Sequence, residues 1–339
     1  MTAGFIENPP SPGAGRGGAE QETLALEPDM EGFSAARGNL LTLFAVSVLV
    51  GLGVAVYEVA LPLYFKSIGF SWTHMGWVYG ASALLALVMR VGMGAWSDRS
   101  GRKIVYVLSL AVTAAATALT PAFRALWPQA ALRSVAEPAM RVREAMHATL
   151  LYDDCPADFR KHFSRTRGVE FFFHFWGLLG AAWALGALAR RGVATPVRWV
   201  FLGAAAGLGL AGLVFAVFYR QHAARAAAGA RVTWGDFLRP RLTRPMWILT
   251  LSTFIFSFGI GLSHCYALQL FFTEKFGASQ RDVFVLGALH RLASCIPLLF
   301  VGHLFRRRLK EWLMLLLVVE GVFLAAPAFI NGGWTGRLA

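Results

Sequence analysis

The sequence predicts an all-helical, multi-pass membrane bundle, and three observations carry that prediction. Hydrophobic residues make up 56% of the 339 residues and charged residues only 15%, with a mean hydropathy of +0.53, on the apolar side of ordinary soluble domains. The apolar residues form continuous runs such as "LLALV" and "LMLLLVVEGVFLAA", not the alternating segments of roughly ten residues that build a β-barrel. Many runs also reach the length of about 20 residues that a helix needs to cross a hydrocarbon core about 30 Å thick.

Nine runs qualify, at 39–64, 74–95, 104–122, 127–151, 168–190, 196–219, 245–272, 282–304 and 312–331. Residues 1–38, with "NPPSPGAGRGG" and several Glu, lack an apolar signal region and read as a disordered cytoplasmic tail. The first six runs, 39–219, read as one bundle. The fourth is the least hydropathic, because "LRSVAEPAMRVREAMHATLL" carries five charges and a proline. It is retained because Arg133, Glu137 and Arg141 lie at i, i+4 and i+8, which stacks them on one helix face, and a lipid-facing stripe of charge is too costly. Pro138 is expected to kink this helix. In the sixth run, "FLGAAAGLGLAGL" places Gly203 and Gly207 at the small-xxx-small spacing of close helix packing. The basic stretch 220–244 then reads as a cytoplasmic linker, and 245–339 as a partial second bundle of about three helices.

The net charge of +13 is spread through short connections and forms no nucleic-acid patch. Most basic residues fall in the two-three, four-five, six-seven and eight-nine connections, among them Arg102, Lys103, Arg160, Lys161, Arg306 and Arg307. Positive-inside bias puts these connections and the N-terminus in the cytoplasm, although "ARRGVATPVR" runs against it locally. Cys155, Cys265 and Cys295 form neither a disulfide framework nor a thiolate metal site. Phosphate-loop, dinucleotide, Ser-His-Asp and zinc-ligand spacings are absent, so neither an enzyme nor a cofactor is expected.

A loop of definite composition interrupts the apolar runs: "GAWSDRSGRK", 94–103. Gly94 with Gly302, Arg99 with Arg307 and Arg102 with Lys310 share one offset of 208 residues, which suggests a duplicated six-helix unit. The loop resembles the signature between helices two and three of the major facilitator superfamily, a glycine, then Asp-Arg, then Gly-Arg-Lys. "RSVAEPAMRVREAMHATLLYDDCPADFRKHFSRTRGVEFF" is similar to the helix-four to helix-five region of a bacterial branch of that superfamily. By this resemblance Arg133 and Arg143 match two helix-four arginines, Asp153 and Pro156 a cytoplasmic turn, and Glu170 stands where the branch has an aspartate. His147, Ala148, Ala139 and Arg141 depart from the branch pattern.

The resemblance covers roughly 39–331 and implies secondary transport through two six-helix halves that rock about a midplane site. It implies a gating loop of Gly94, Asp98, Arg99, Gly101, Arg102 and Lys103, in which Asp98 faces a helix N-terminus of the second half and holds one conformation closed. Gly94 is expected to admit a close helix approach and Gly101 to supply a turn with positive φ. The superfamily uses twelve helices and the partner of Asp98 belongs to the eleventh, so nine runs suggest a C-terminally truncated chain. The expected partners are the bilayer, a small solute and protons. The alternative is a non-transporting membrane scaffold, with a partner chain if the nine-helix form is native.

Charges within spans are functional candidates by default. Depth counting at about 1.5 Å per residue puts Glu58 and Arg133 both roughly 9 Å from the outer face, which predicts a Glu58–Arg133 pair across the cavity. Arg143 and Glu170 form a second expected pair, with His174 four residues beyond Glu170 on the same face. Glu170 is a candidate carrier of a coupling proton, and a static salt bridge is the alternative. Arg90 and Arg291 are candidates for contact with an anionic solute or for snorkelling. His264, His290 and Glu320 complete the intramembrane set, whose spacing does not suit a metal.

Overall fold

The computed structural model describes residues 30–193, 195–221 and 265–304, with isolated positions elsewhere in the second half. Eight helices stand among the described residues. They are α1 (Met30–Ser67), α2 (Trp72–Ser100), α3 (Arg102–Leu119), α4 (Leu126–Asp154), α5 (Phe159–Arg190), α6 (Pro196–Phe218), α7 (Cys265–Phe276) and α8 (Gln280–Leu304). Four stretches in α1, α3, α5 and α6 are long and apolar enough to cross a membrane, at 37–67, 102–122, 159–190 and 196–218. The charged α4 is a continuous 29-residue helix all the same, and it runs through Pro138 without a break.

Helices α1 to α6 pack as one bundle. Helix α1 lies between α5 and α6, α3 between α4 and α6, and α2 rests on α4. Helix α8 docks along α5, and α7 touches α1, so both helices pack on the α1–α6 bundle. The core follows from the apolar stripes that face inward: Val46, Val50, Val54 and Leu61 of α1 meet Leu178 and Leu185 of α5 and Phe201 and Leu208 of α6. Five exposed tryptophans ring one end of the bundle, Trp72 and Trp77 at the start of α2, Trp127 and Trp199 at the starts of α4 and α6, and Trp183 near the end of α5, while Trp96 and Trp176 are exposed elsewhere. Indoles prefer the headgroup level, so this ring fits a membrane interface.

Small residues set the tightest crossings, at positions other than those expected. A methyl group on Gly177 of α5 would lie 2.5 Å from the carbonyl oxygen of Leu52, and one on Gly51 of α1 would lie 2.5 Å from that of Glu170. Gly53 stands nearly as close to α6, where a Cβ would come within 2.8 Å of the Ala204 carbonyl oxygen. Of the predicted pair, Gly207 faces Leu49 at an ordinary 3.6 Å, whereas Gly203 has nothing within 4 Å. The spacing was legible, but which face of α6 meets α1 was not.

Three helix limits differ from the sequence expectation. Helix α1 begins at Met30, so 30–38 are helical and not tail; "MEGFSAAR" is rich in helix formers and has no proline. Helix α5 begins at Phe159, since the charged "RKHFSRTR" is soluble helix that hydropathy alone does not report. The loop 94–103 shrinks to one residue. Helix α2 continues through Ser100, the Gly101 N–H donates to the Ser97 carbonyl, and α3 starts at Arg102. Gly101 has φ +92°, a conformation that a side chain resists, so the whole reversal rests on that glycine. The tail 1–29, most of 220–264, the segment 305–310 that echoes the loop, and most of 312–331 lie outside the described residues.

Candidate functional site

Charged side chains meet in three places. The first is the end of the bundle that holds Gly101. Arg102 forms an ion pair with Asp153 at the end of α4, and Lys103 donates to the Tyr219 carbonyl at 2.7 Å, neutralising the C-terminal end of α6. Beside them the buried Asn39 of α1 donates to the Arg220 carbonyl at 2.8 Å and accepts from the Arg220 N–H at 2.9 Å, while the Tyr219 hydroxyl donates to Asp154 at 3.0 Å. This network ties the ends of α1, α3, α4 and α6 together. Of the six loop residues named from the sequence, Gly101, Arg102 and Lys103 are thus placed within the first half. Gly94, Asp98 and Arg99 lie on the last turns of α2, and the side chains of Asp98, Arg99 and Arg90 lie outside the described residues. Nearby Cys155 is a free thiol that burial, then Asp154 and Asp158, push above the usual range, which disfavours a reactive thiolate.

The second place is inside the bundle, between α4 and α5. The Arg143 and Glu170 side chains are each 2% exposed and pair at 3.0 Å, as the sequence predicted. Arg167, one turn before Glu170, holds its second carboxylate oxygen at 2.9 Å. Glu170 is therefore clamped by two guanidiniums. His147 of α4 shares a 3.2 Å hydrogen bond with the Tyr106 hydroxyl through Nδ1. His174, 4% exposed, has no hydrogen-bond partner on either ring nitrogen among the described residues.

The third place reaches from α4 across to the second half. Arg133, Glu137, Arg141 and Glu144 form a ladder along α4: Arg133 pairs with Glu137, Arg141 with Glu137 at 2.9 Å and with Glu144 at 3.2 Å. The 5.0 Å and 5.6 Å approaches of the Arg133 guanidinium to the Tyr79 and Tyr57 rings add cation–π contact from α2 and α1. Arg133 and Glu137 are buried, whereas the Arg141 side chain is 41% exposed. The stack predicted at i, i+4 and i+8 is therefore real, and it extends one step further.

The predicted Glu58–Arg133 pair is not what forms. Glu58 of α1 instead accepts from Arg291 of α8 at 2.5 Å, and the Arg291 guanidinium also lies 5.4 Å from the Phe171 ring of α5. Arg133 instead pairs with its own Glu137 and lies over the rings of Tyr79 of α2 and Tyr57 of α1. Arg291 was legible as an intramembrane charge, and nothing in sequence spacing linked it to a residue 233 positions away. A second ion pair from α1 to a helix beyond α6 joins Lys66 at the end of α1 to Glu274 of α7. Arg167, Glu144, Tyr79 and Tyr106 are further contributors that sequence reasoning did not select, since each draws its role from a neighbouring helix or from a charge already counted elsewhere.

Comparisons with known proteins give one family. The family model for the Major Facilitator Superfamily matches residues 43–337. Among curated proteins no sequence match is found. A mutant of the nucleoside transporter NupG superposes with a TM-score of 0.60 at 14% identity, over 79% of this chain and 68% of that one. Two peptide-transporter structures are also similar. A bacterial homologue of the human drug peptide transporters PepT1 and PepT2 has a TM-score of 0.48 at 14% identity, over 78% of this chain and 51% of that one. Tetrameric PepTSo2 has a TM-score of 0.48 at 15% identity, over 85% and 59%. The chain thus spans about half to two thirds of these proteins' lengths. With a family model matched over most of its length and a bundle of apolar helices, this chain is a multi-pass membrane protein that belongs to the Major Facilitator Superfamily, a superfamily of transporters.

Proposed function

We propose that the protein is a secondary active transporter that moves a small solute across the cytoplasmic membrane by alternating access, with an ion gradient as the driving force. The N-terminus and the Arg102–Lys103 loop then face the cytoplasm, in line with positive-inside bias. The observation that carries this reading is the Glu58–Arg291 pair. A charged bridge at membrane depth, with side chains 27% and 19% exposed, joins one helix of each half where a rocking motion would part them. An ion pair in low dielectric that must break and re-form suits a contact of one state better than a permanent one.

In this reading 39–219 is the first half, 220–244 the linker and 245–339 part of the second half. Gly94, Asp98, Arg99, Gly101, Arg102 and Lys103 form the gating loop, while Glu58, Arg90, Glu137, Arg141 and the clamped Arg143–Glu170 pair line or brace the solute path. Arg141, half exposed beside Glu137 and Glu144, is the cation best placed to meet a polar or anionic solute.

The test is flux in proteoliposomes under an imposed pH gradient, beginning with nucleosides because of the fold shared with NupG, then organic anions and hydrophobic cations. Accumulation that collapses with an ionophore, and falls at least about tenfold in Arg141→Gln, supports the proposal. No flux for any class, with a stable stoichiometric partner retained in mild detergent, would support the non-transporting scaffold instead.

A further inference from the structure

Two arginines clamp Glu170, and although Arg143 Nε and His147 Nε2 are also unpaired among the described residues, His174 is the histidine there with both ring nitrogens open. It sits one turn beyond Glu170 on α5, on the stripe that faces inward. Its ring lies 5.1 Å from that of Phe171, and the other face of the cluster is Arg291, 5.4 Å from the same Phe171 ring. The charges that act on His174 come from three helices: Arg291 of α8, Glu170 and Arg167 of α5, and Arg143 of α4. Glu58 of α1 enters through its bridge to Arg291. With α8 docked, the guanidiniums of Arg291, Arg143 and Arg167 outnumber the Glu170 carboxylate around His174, so a proton on His174 would add to an excess of positive charge.

Separation of the halves changes that balance. Arg291 travels with α8, while Glu58 stays on α1 and the other charges stay on α4 and α5. The excess of positive charge around His174 then falls by one, Glu58 has lost its partner, and the gap admits water. We infer that His174 is a proton-binding site set by domain position: its ring is neutral while α8 is docked and takes a proton from water when α8 parts from α1. The inference rests on the alternating-access reading and adds to it a specific carrier other than Glu170. By linkage, acid then favours the parted state, because a ligand shifts a two-state equilibrium toward the state that binds it.

Spin labels at Ser67→Cys on α1 and Lys275→Cys on α7, in full-length protein lacking Cys155, Cys265 and Cys295 and held in lipid nanodiscs, report the separation as a distance distribution. Lowering the pH from about 8 to about 5.5 should raise the wide population relative to the narrow one, by up to about tenfold for each unit by which proton affinity differs between the states. His174→Gln should abolish that response. Arg291→Gln, which keeps His174 but removes the charge that departs, should favour the wide population throughout and lose most of the pH dependence, whereas Arg291→Lys should retain it. An equal pH response in His174→Gln would overturn the assignment. Two populations whose ratio ignores pH in the unmutated chain would overturn it while leaving alternating access intact. A single narrow population at every pH would remove both.

Discussion

At the scale of single residues, the deciding quantity is how many partners a buried charge keeps. Glu170 is held by Arg143 at 3.0 Å and by Arg167 at 2.9 Å, and of the two arginines only Arg143 is buried to the same degree as Glu170. A ranking follows. Glu170→Met strands two guanidiniums and should be the most destabilising change, at about 3–5 kcal/mol. Arg143→Met should cost less, because Arg167 still holds the carboxylate. Arg167→Met should cost least, since the Arg167 side chain is 18% exposed and reaches water. Thermal melting in detergent, followed by size-exclusion fluorescence, checks the order. Equal melting temperatures for all three would remove the clamp as a stabilising unit. The sequence exposed Arg143 and Glu170 because an arginine and a carboxylate near the inner ends of adjacent spans stand out against an apolar background. It hid Arg167, which looked like one more topogenic charge in the four-five connection.

At the scale of the helix, close approach is set by where backbones touch. At Gly177 a Cβ would meet the Leu52 carbonyl oxygen at 2.5 Å and its Cα at 2.9 Å, both backbone atoms that cannot move aside. Gly177→Ala is expected to push α1 from α5 and lower stability by about 1–3 kcal/mol. Gly203→Ala, with open space around it, should be neutral or gain up to about 1 kcal/mol in helix propensity. Melting curves of the two variants side by side test this, and the reverse order would contradict the α1–α5 crossing. The element level also shows where hydropathy misleads. It recovers α3, α4 and α6 to within a few residues, because their ends coincide with turns. It shortens α1, α2 and α5 because polar helix beyond the bilayer looks like loop to a hydropathy window.

At the scale of the molecule, the described ends carry opposite features. One holds Gly101, Arg102, Lys103 and the Asn39–Asp154–Tyr219 network; the other holds Lys66, Glu274 and the tryptophan ring. If the proposed orientation holds, a membrane-impermeant maleimide should label Ser100→Cys only in inside-out vesicles and Ser67→Cys only in right-side-out cells. Opposite labelling would invert the topology without touching the fold. Both ion pairs from α1 to the helices beyond α6, Glu58–Arg291 and Lys66–Glu274, lie toward the Lys66 end.

The sequence by itself determined that the chain is an α-helical membrane bundle, that α4 carries a charged stripe, and that Arg143 and Glu170 pair. These depend on composition, on periodicity within one helix, or on depth in a bilayer, all of which are local. Only the tertiary structure decided that Glu58 joins Arg291 and not Arg133, that Gly51 and Gly177 carry the tight crossing in place of Gly203, and that His174 lies without a partner beside a charge from α8. The reason is rotation. Depth fixes where along its axis a residue sits, but which neighbour it meets depends on the angle at which each helix is packed, and that angle is set jointly by every contact in the bundle.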